Sequence, residues 1–153
     1  MIKFILIVLF TFNLVACGLF SHSPETIKNV DITIGKNVNP YNVNRASPVI
    51  LRIYQLSNGQ LFNDAPFIEL YNNDVKVLAN ELISKKVLPI FKPNSRHKIA
   101  LELEKEARYV AVLAEFANFK EGKAKATVKL PLNEDFIIDI KVGGLTVTID
   151  TKE

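Results

Sequence analysis

The sequence predicts a mostly-β chain, an antiparallel β-sandwich of about eight strands with a small helical insertion at about residues 64–84. Three observations predict it. Apolar and polar residues alternate with period two along much of the chain, the mark of strands with one buried and one wet face. Gly143-Gly144 sits between two such runs near the C-terminus, as in a two-residue hairpin. The alternation yields to helical spacing in one stretch.

The first element is of another kind. Lys3 precedes Phe4–Phe12, an apolar run broken only by Thr11, and then Asn13 and Leu14-Val15-Ala16-Cys17. A membrane-spanning helix needs about 20 apolar residues, so this run is too short to stay as an anchor. It fits the apolar region of a signal peptide over residues 1–16. Leu14-Val15-Ala16-Cys17 resembles the lipobox of bacterial lipoproteins. The resemblance implies cleavage before Cys17, a diacylglycerol on its thiol and an acyl chain on the freed amine; no other cofactor is expected. One acyl chain binds a membrane only marginally, and two or more anchor stably. Cys17 is the only cysteine, so no internal disulfide can form. Gly18 follows it, where aspartate would favour inner-membrane retention, so the expected location is the periplasmic face of the outer membrane. Residues 17–27 read as the lipidated cysteine and a tether, leaving 28–153 as one domain. Ten tether residues reach at most roughly 35 Å.

Removing residues 1–16 leaves 137, enough to bury about two thirds of the unfolded chain's surface. The precursor's net charge of +3 falls to +2 with the loss of Lys3. The basic residues are scattered singly, so the clustered face that nucleic acid requires is missing.

Strand by strand, Val30, Ile32 and Ile34 alternate with Asn29, Asp31 and Thr33. Ile99, Leu101 and Leu103 alternate with Lys98, Glu102 and Glu104; Ala124, Ala126, Val128 and Leu130 alternate with Lys123, Lys125, Thr127 and Lys129. Val49–Leu56 and Tyr109–Phe116 are apolar on both sides, as central strands are, with Arg52 and Gln55 as polar exceptions. A weaker strand is expected near Val87–Phe91, where Pro89 argues for a sheet edge. Folding at Gly143-Gly144 pairs Val142 with Leu145, Ile140 with Val147 and Ile138 with Ile149, all on one face. In the insertion, Asp64 before Ala65-Pro66 suits a helix start, with Phe67, Leu70 and Tyr71 at helical spacing. Asp74 could cap a second helix carrying Val75, Leu78, Ala79, Leu82 and Ile83 on one face.

Catalytic signals are poor. The two histidines are His22, in the tether, and His97, beside a Pro93-Asn94-Ser95 turn, too few for a zinc site. No nucleophile elbow, P-loop or dinucleotide fingerprint occurs. Glu102 and Glu104 share the polar side of an alternating strand, and Glu134-Asp135 follows Pro131 in a turn; both read as solvated carboxylates rather than an acid pair in a cleft. The most unusual segment is the connection Lys36–Ser47, with four asparagines, Tyr41 and Arg45. Long loops on rigid sandwiches often bind partners, and Tyr and Arg are favoured anchors. Composition alone fits a plain polar connection equally well.

Beyond these patterns, a set of residues resembles a family. Asn39-Pro40 is followed by Arg45-x-Ser47-Pro48-Val49, which runs into Arg52-Ile53-Tyr54-Gln55-Leu56. Phe62, Phe67, Leu70-Tyr71, Asp74, Pro93 and Tyr109-Val110-Ala111-Val112-Leu113-Ala114-Glu115-Phe116 come next in order. Together with the lipobox this resembles the TssJ (SciN/VasD-type) outer-membrane lipoproteins of type VI secretion systems, over most of the chain. The resemblance implies a transthyretin-like sandwich with added helices, and neither an enzymatic activity nor a small-molecule substrate. It implies a partner: the periplasmic C-terminal region of the inner-membrane subunit TssM, in a complex that also includes TssL. In the family the loop between the first two strands makes the contact, which here singles out Asn39, Pro40, Tyr41, Asn42, Asn44 and Arg45, with Tyr41 and Arg45 foremost. Tyr41, Asn44 and Ala46 depart from the family's Asp after Asn-Pro and its Gly-Arg-Pro-Ser-Pro stretch. Two other readings stay open: a lipid-anchored sandwich binding a sugar or other small ligand in an aromatic cleft, and an envelope hydrolase.

Overall fold

A computed structural model describes residues 26–41, 45–132 and 135–153. The expected signal peptide, Cys17, tether residues 17–25, Asn42, Asn44 and Glu134 lie outside the described residues. Among the described residues, eight strands form two four-stranded sheets. One has the order β4-β1-β7-β8, from β4 (Ser95–Leu103), β1 (Thr26–Ile34), β7 (Ile137–Gly143) and β8 (Thr146–Lys152). The other has the order β3-β2-β5-β6, from β3 (Leu82–Val87), β2 (Leu51–Leu56), β5 (Tyr109–Ala114) and β6 (Lys125–Lys129). All strand pairs are antiparallel except β1 with β7, which run parallel. Thr26 and Ile27, expected in the tether, already belong to β1, because β4 extends far enough to pair them with Leu103 and Glu102.

Between the sheets lies the main core. Val30, Ile32, Leu51, Ile53, Val110, Val112, Ile138 and Ile140 are all buried in it. The two-sided strands prove central: the outer faces of β2 and β5 present Tyr54, Leu56, Ala111 and Leu113 to a second, smaller core. That core is covered by α1 (Gln60–Asp64) and α2 (Phe67–Leu78), through Phe62, Ala65, Leu70 and Leu78. Gln55 is buried without being apolar. Its amide donates to the Glu102 carbonyl (2.7 Å) and accepts from the Glu104 N–H (2.8 Å), joining the two sheets where β4 ends.

Three local expectations are corrected. The helical stretch begins earlier, at Gln60, and ends earlier, in a 3₁₀ turn at Ala79–Glu81. Leu82 and Ile83 fit a helical face by spacing, but the free edge of β2 offers them backbone partners, and they open β3 instead. The weak strand expected at Val87–Phe91 stops at Val87, leaving Phe91 a single bridge to Val49; Pro89 has no N–H to continue the ladder. Third, the C-terminal hairpin pairs Val142 with Val147, Ile140 with Ile149 and Ile138 with Thr151. That is two residues beyond the expected register, and a shift of two keeps every side chain on its predicted face. The turn residues are Gly144, with φ +56°, and Leu145.

The reason for the shift lies in Leu145. It packs against the main core and onto Gly122, where an added Cβ would stand 2.1 Å from the Leu145 carbonyl oxygen and 2.5 Å from its Cβ. Gly122→Ala is therefore expected to cost about 2 kcal/mol of stability, within the range for overpacking. Gly143→Ala, whose Cβ meets nothing nearer than 3.9 Å, is expected to stay within about 0.5 kcal/mol of wild type. Urea denaturation of the two variants checks this; equal midpoints would remove the contact as the cause of the register.

Candidate functional site

β1 sets the geometry of the candidate site. The upstream chain enters at Thr26, and the expected partner loop leaves at Ile34, the other end of the strand. Nine residues at about 3.3 Å each separate the two ends by roughly 27 Å. The loop's base is held from several sides. Gly35 N–H donates to the Val142 carbonyl (2.7 Å), Asn39 N–H to the Gly144 carbonyl (2.7 Å) and Ser47 N–H to the Val38 carbonyl (3.1 Å). Val38 is fully buried beneath it.

Asn39 takes φ +47°, a left-handed conformation that asparagine tolerates better than most residues. Its side chain turns inward and is 6% exposed. Nδ2 donates to the Pro48 carbonyl (2.7 Å), and Oδ1 accepts from the Ala117 N–H (2.8 Å). Asn39 thus braces the loop instead of presenting a side chain outward. Pro40 is half-buried, and its carbonyl accepts from Asn118 Nδ2 (3.4 Å). Beyond this brace Tyr41 N–H donates to the Arg45 carbonyl (3.1 Å), and the two residues form an isolated antiparallel bridge. Residues directly opposite in such a bridge project from the same face. Tyr41 is 54% exposed, and Arg45 is also exposed. The structure therefore sets these two expected anchors opposite each other, at either side of residues 42–44.

A charged cluster that sequence reading missed stands behind the loop. The Asp74 carboxylate is buried and accepts from Tyr54 Oη (2.9 Å), Lys85 Nζ (3.0 Å to each oxygen), Arg52 Nη1 (3.3 Å) and the Val75 N–H (2.8 Å). Arg52 Nε also donates to Glu115 Oε1 (2.6 Å) and Nη1 to the Tyr71 carbonyl (3.0 Å). Burial alone would push the Asp74 carboxyl up. The donors from Lys85 and Tyr54, the charge of Lys85 and the Val75 N–H together hold it below the usual carboxylate range. The Tyr54 hydroxyl is pushed up, by burial first and then by its bond to Asp74. The cluster ties α2 to the outer face of β2. Its sequence trace was Arg52 as a polar exception, Asp74 as a possible cap, and Arg52, Tyr54, Asp74 and Glu115 among the residues that carry the family resemblance; the backbone does break at Asn73, just before Asp74.

The other polar candidates stay apart. His97 sits on β4, half-buried against the Phe91 ring (4.7 Å) with Nε2 2.9 Å from Ser95 Oγ, rather than in a solvated turn. Glu102 is exposed and Glu104 half-buried past the strand's end. Among the described residues no group of three His, Cys, Asp or Glu side chains could hold a metal ion. An open cleft of about 700 Å³ lies at the end where β1 begins; among the described residues its one aromatic ring is Phe136, beside Lys28, Glu104, Lys105 and Arg108.

No curated protein matches the chain. A family model described as type VI secretion lipoprotein, VasD, EvfM, TssJ matches residues 26–145. Among solved structures, the T6SS lipoprotein TssJ1 from Pseudomonas aeruginosa matches with a TM-score of 0.77 at 20% identity, over 84% of this chain and 97% of that one. Lip of Serratia marcescens, a membrane-bound component of the type VI secretion system, matches at 0.74 and 21%, over 84% and 98%. A structure described as the T6SS protein TssM C-terminal domain from EAEC matches at 0.65 and 21%, over 81% and 97%. At these identities the likeness is one of fold.

Proposed function

Because this chain belongs to the type VI secretion lipoprotein family of VasD, EvfM and TssJ, we propose that it is a lipid-anchored structural adaptor without catalytic action. Lipid on Cys17 holds it to the periplasmic face of the outer membrane. Its β1–β2 loop grips the periplasmic C-terminal region of a TssM-type inner-membrane subunit, in a complex that includes a TssL-type subunit. The carrying observation is the opposition of the two ends of β1: the chain enters at Thr26, and Tyr41 and Arg45 are displayed past Ile34. A short tether at one end and a bridged, braced pair of loop residues at the other suit a part that transmits pull. The bonds of Asn39 and the backbone bonds of Gly35 and Ser47 hold the loop's base in place, which lowers the ordering cost on binding. Support also comes from the fold match to the structure described by the TssM C-terminal domain.

Tyr41→Ala combined with Arg45→Ala tests the loop. Both side chains are exposed, so the fold should persist in circular dichroism. Binding to the TssM periplasmic region, measured by calorimetry, is expected to weaken by about 2 kcal/mol or more, the scale of an interface hot spot. Wild-type affinity in the double variant would remove the loop from the interface.

A further inference from the structure

Beside the loop runs a groove of about 380 Å³ with aromatic walls, between α2 and the segment that follows β5. Its walls are Phe67, Ile68 and Tyr71 on one side and Phe116, Ala117 and Phe119 on the other, with Asn39 and Glu115 also in the lining. Three rings stand nearly parallel along it: Phe119 against Phe67 (4.4 Å, 19°) and Phe67 against Tyr71 (5.8 Å, 20°). Arg52 covers the Tyr71 ring at 4.9 Å. Ile68 and Tyr71 nonetheless remain 45% and 41% exposed. We propose that this groove is the second half of the docking surface, and that it receives an apolar side chain carried by the TssM-type periplasmic region that the loop grips; this rests on the adaptor reading above.

Three observations point to that occupant. The groove and the loop are one continuous surface: Asn39 braces the loop and lines the groove, and Ala117 and Asn118 hydrogen-bond to Asn39 and Pro40. A chain lying across Tyr41 and Arg45 would therefore meet the groove next. Second, the Asn39 amide and the Glu115 carboxylate in the lining are already engaged. Both amide atoms of Asn39 are bonded internally, and Glu115 is paired with Arg52. The groove thus offers ring faces and an exposed isoleucine, which fit an aliphatic or aromatic guest. Third, the groove flanks the loop, at the end of the sandwich remote from Thr26, so a protein from across the periplasm meets it before the lipid surface does. The Arg52–Asp74–Glu115 cluster holds both walls, since it bonds α2 through the Tyr71 carbonyl and the opposite wall through Glu115. A preformed slot of this kind loses little freedom when filled.

The test uses the full-length lipidated protein in detergent micelles and, as probe, the TssM C-terminal periplasmic region. Ile68→Lys is expected to weaken binding at least tenfold. Ile68→Ala, which trims the apolar contact without adding charge, should act in the same direction and guards against misfolding of the lysine variant. Val75→Lys lies on the same helix, 59% exposed and outside the groove, and should bind as wild type. If both Ile68 variants keep wild-type affinity while Tyr41→Ala with Arg45→Ala loses it, the groove proposal falls and the adaptor reading stands. Equal loss in Ile68→Lys and Val75→Lys would also overturn the groove, as a charge effect of the whole helix. If the wild-type protein does not bind the probe at all, the adaptor reading itself fails.

Discussion

Cys17→Ser is expected to move the protein from the membrane pellet to the soluble fraction and to reduce type VI secretion to background. Serine cannot form the thioether that carries the diacylglycerol, and each buried CH₂ of an acyl chain contributes about 0.8 kcal/mol of membrane affinity. On the proposed lipidation, losing two or more chains would remove far more than any loop contact could restore. Among the described residues no helix is long and apolar enough to cross a membrane. The domain itself should be untouched, since β1 starts at Thr26, nine residues further on, and the thermal midpoint should match wild type. Mass spectrometry of the native mature N-terminus provides the direct check. Unchanged membrane fractionation of the serine variant would end the account of this chain as a lipid-borne link.

Asp74→Ala is expected to destabilise the fold by about 3 kcal/mol, the low end for breaking a buried ion pair, because Lys85 keeps partial access to water. The variant leaves the fully buried Tyr54 hydroxyl without its acceptor and strips Arg52 and Lys85 of a shared anion. The same carboxylate predicts a pH dependence. Its folded pKa is depressed, so its stabilisation is complete above the unfolded value and drains away as pH falls through the folded one. Asp139 is also held below the usual range: burial opposes this, and the hydrogen bonds and charges of Lys152 and Lys141 outweigh it. Wild-type stability should therefore decline below about pH 4, with a shallower decline in Asp74→Ala. Urea titrations at pH 7 and at pH 3 measure both effects. A wild-type midpoint for Asp74→Ala at pH 7 would mean that the cluster is ornamental to stability.

The candidate site was drawn from the sequence as an expectation. Cys17, outside the described residues, was singled out by the spacing of a lipobox, and Tyr41 and Arg45 by residue type in a long loop. That these two face each other across a bridge required the fold. Asn39 shows the limit most clearly. The same residue type that suggests a polar contact surface also satisfies backbone groups, and only the positions of Pro48 and Ala117 decide which it does. The groove was invisible for a related reason. Phe67 and Tyr71 lie in the helical insertion and Phe119 lies about fifty residues later, and nothing local says that their rings will stack.

By itself the sequence determined which faces of the strands are buried, that β2 and β5 would be central, and that helices would interrupt the sheets. These follow from periodicities of 2.0 and 3.6, which are properties of neighbouring residues. Tertiary structure alone decided the parallel pairing of β1 with β7, the conversion of Leu82 and Ile83 from helix to strand, the two-residue shift of the hairpin and the Asp74 cluster. Each depends on which backbone edge, carbonyl or cation stands opposite at long sequence separation. Periodicity says which way a side chain points, and only the assembled chain says what it meets there.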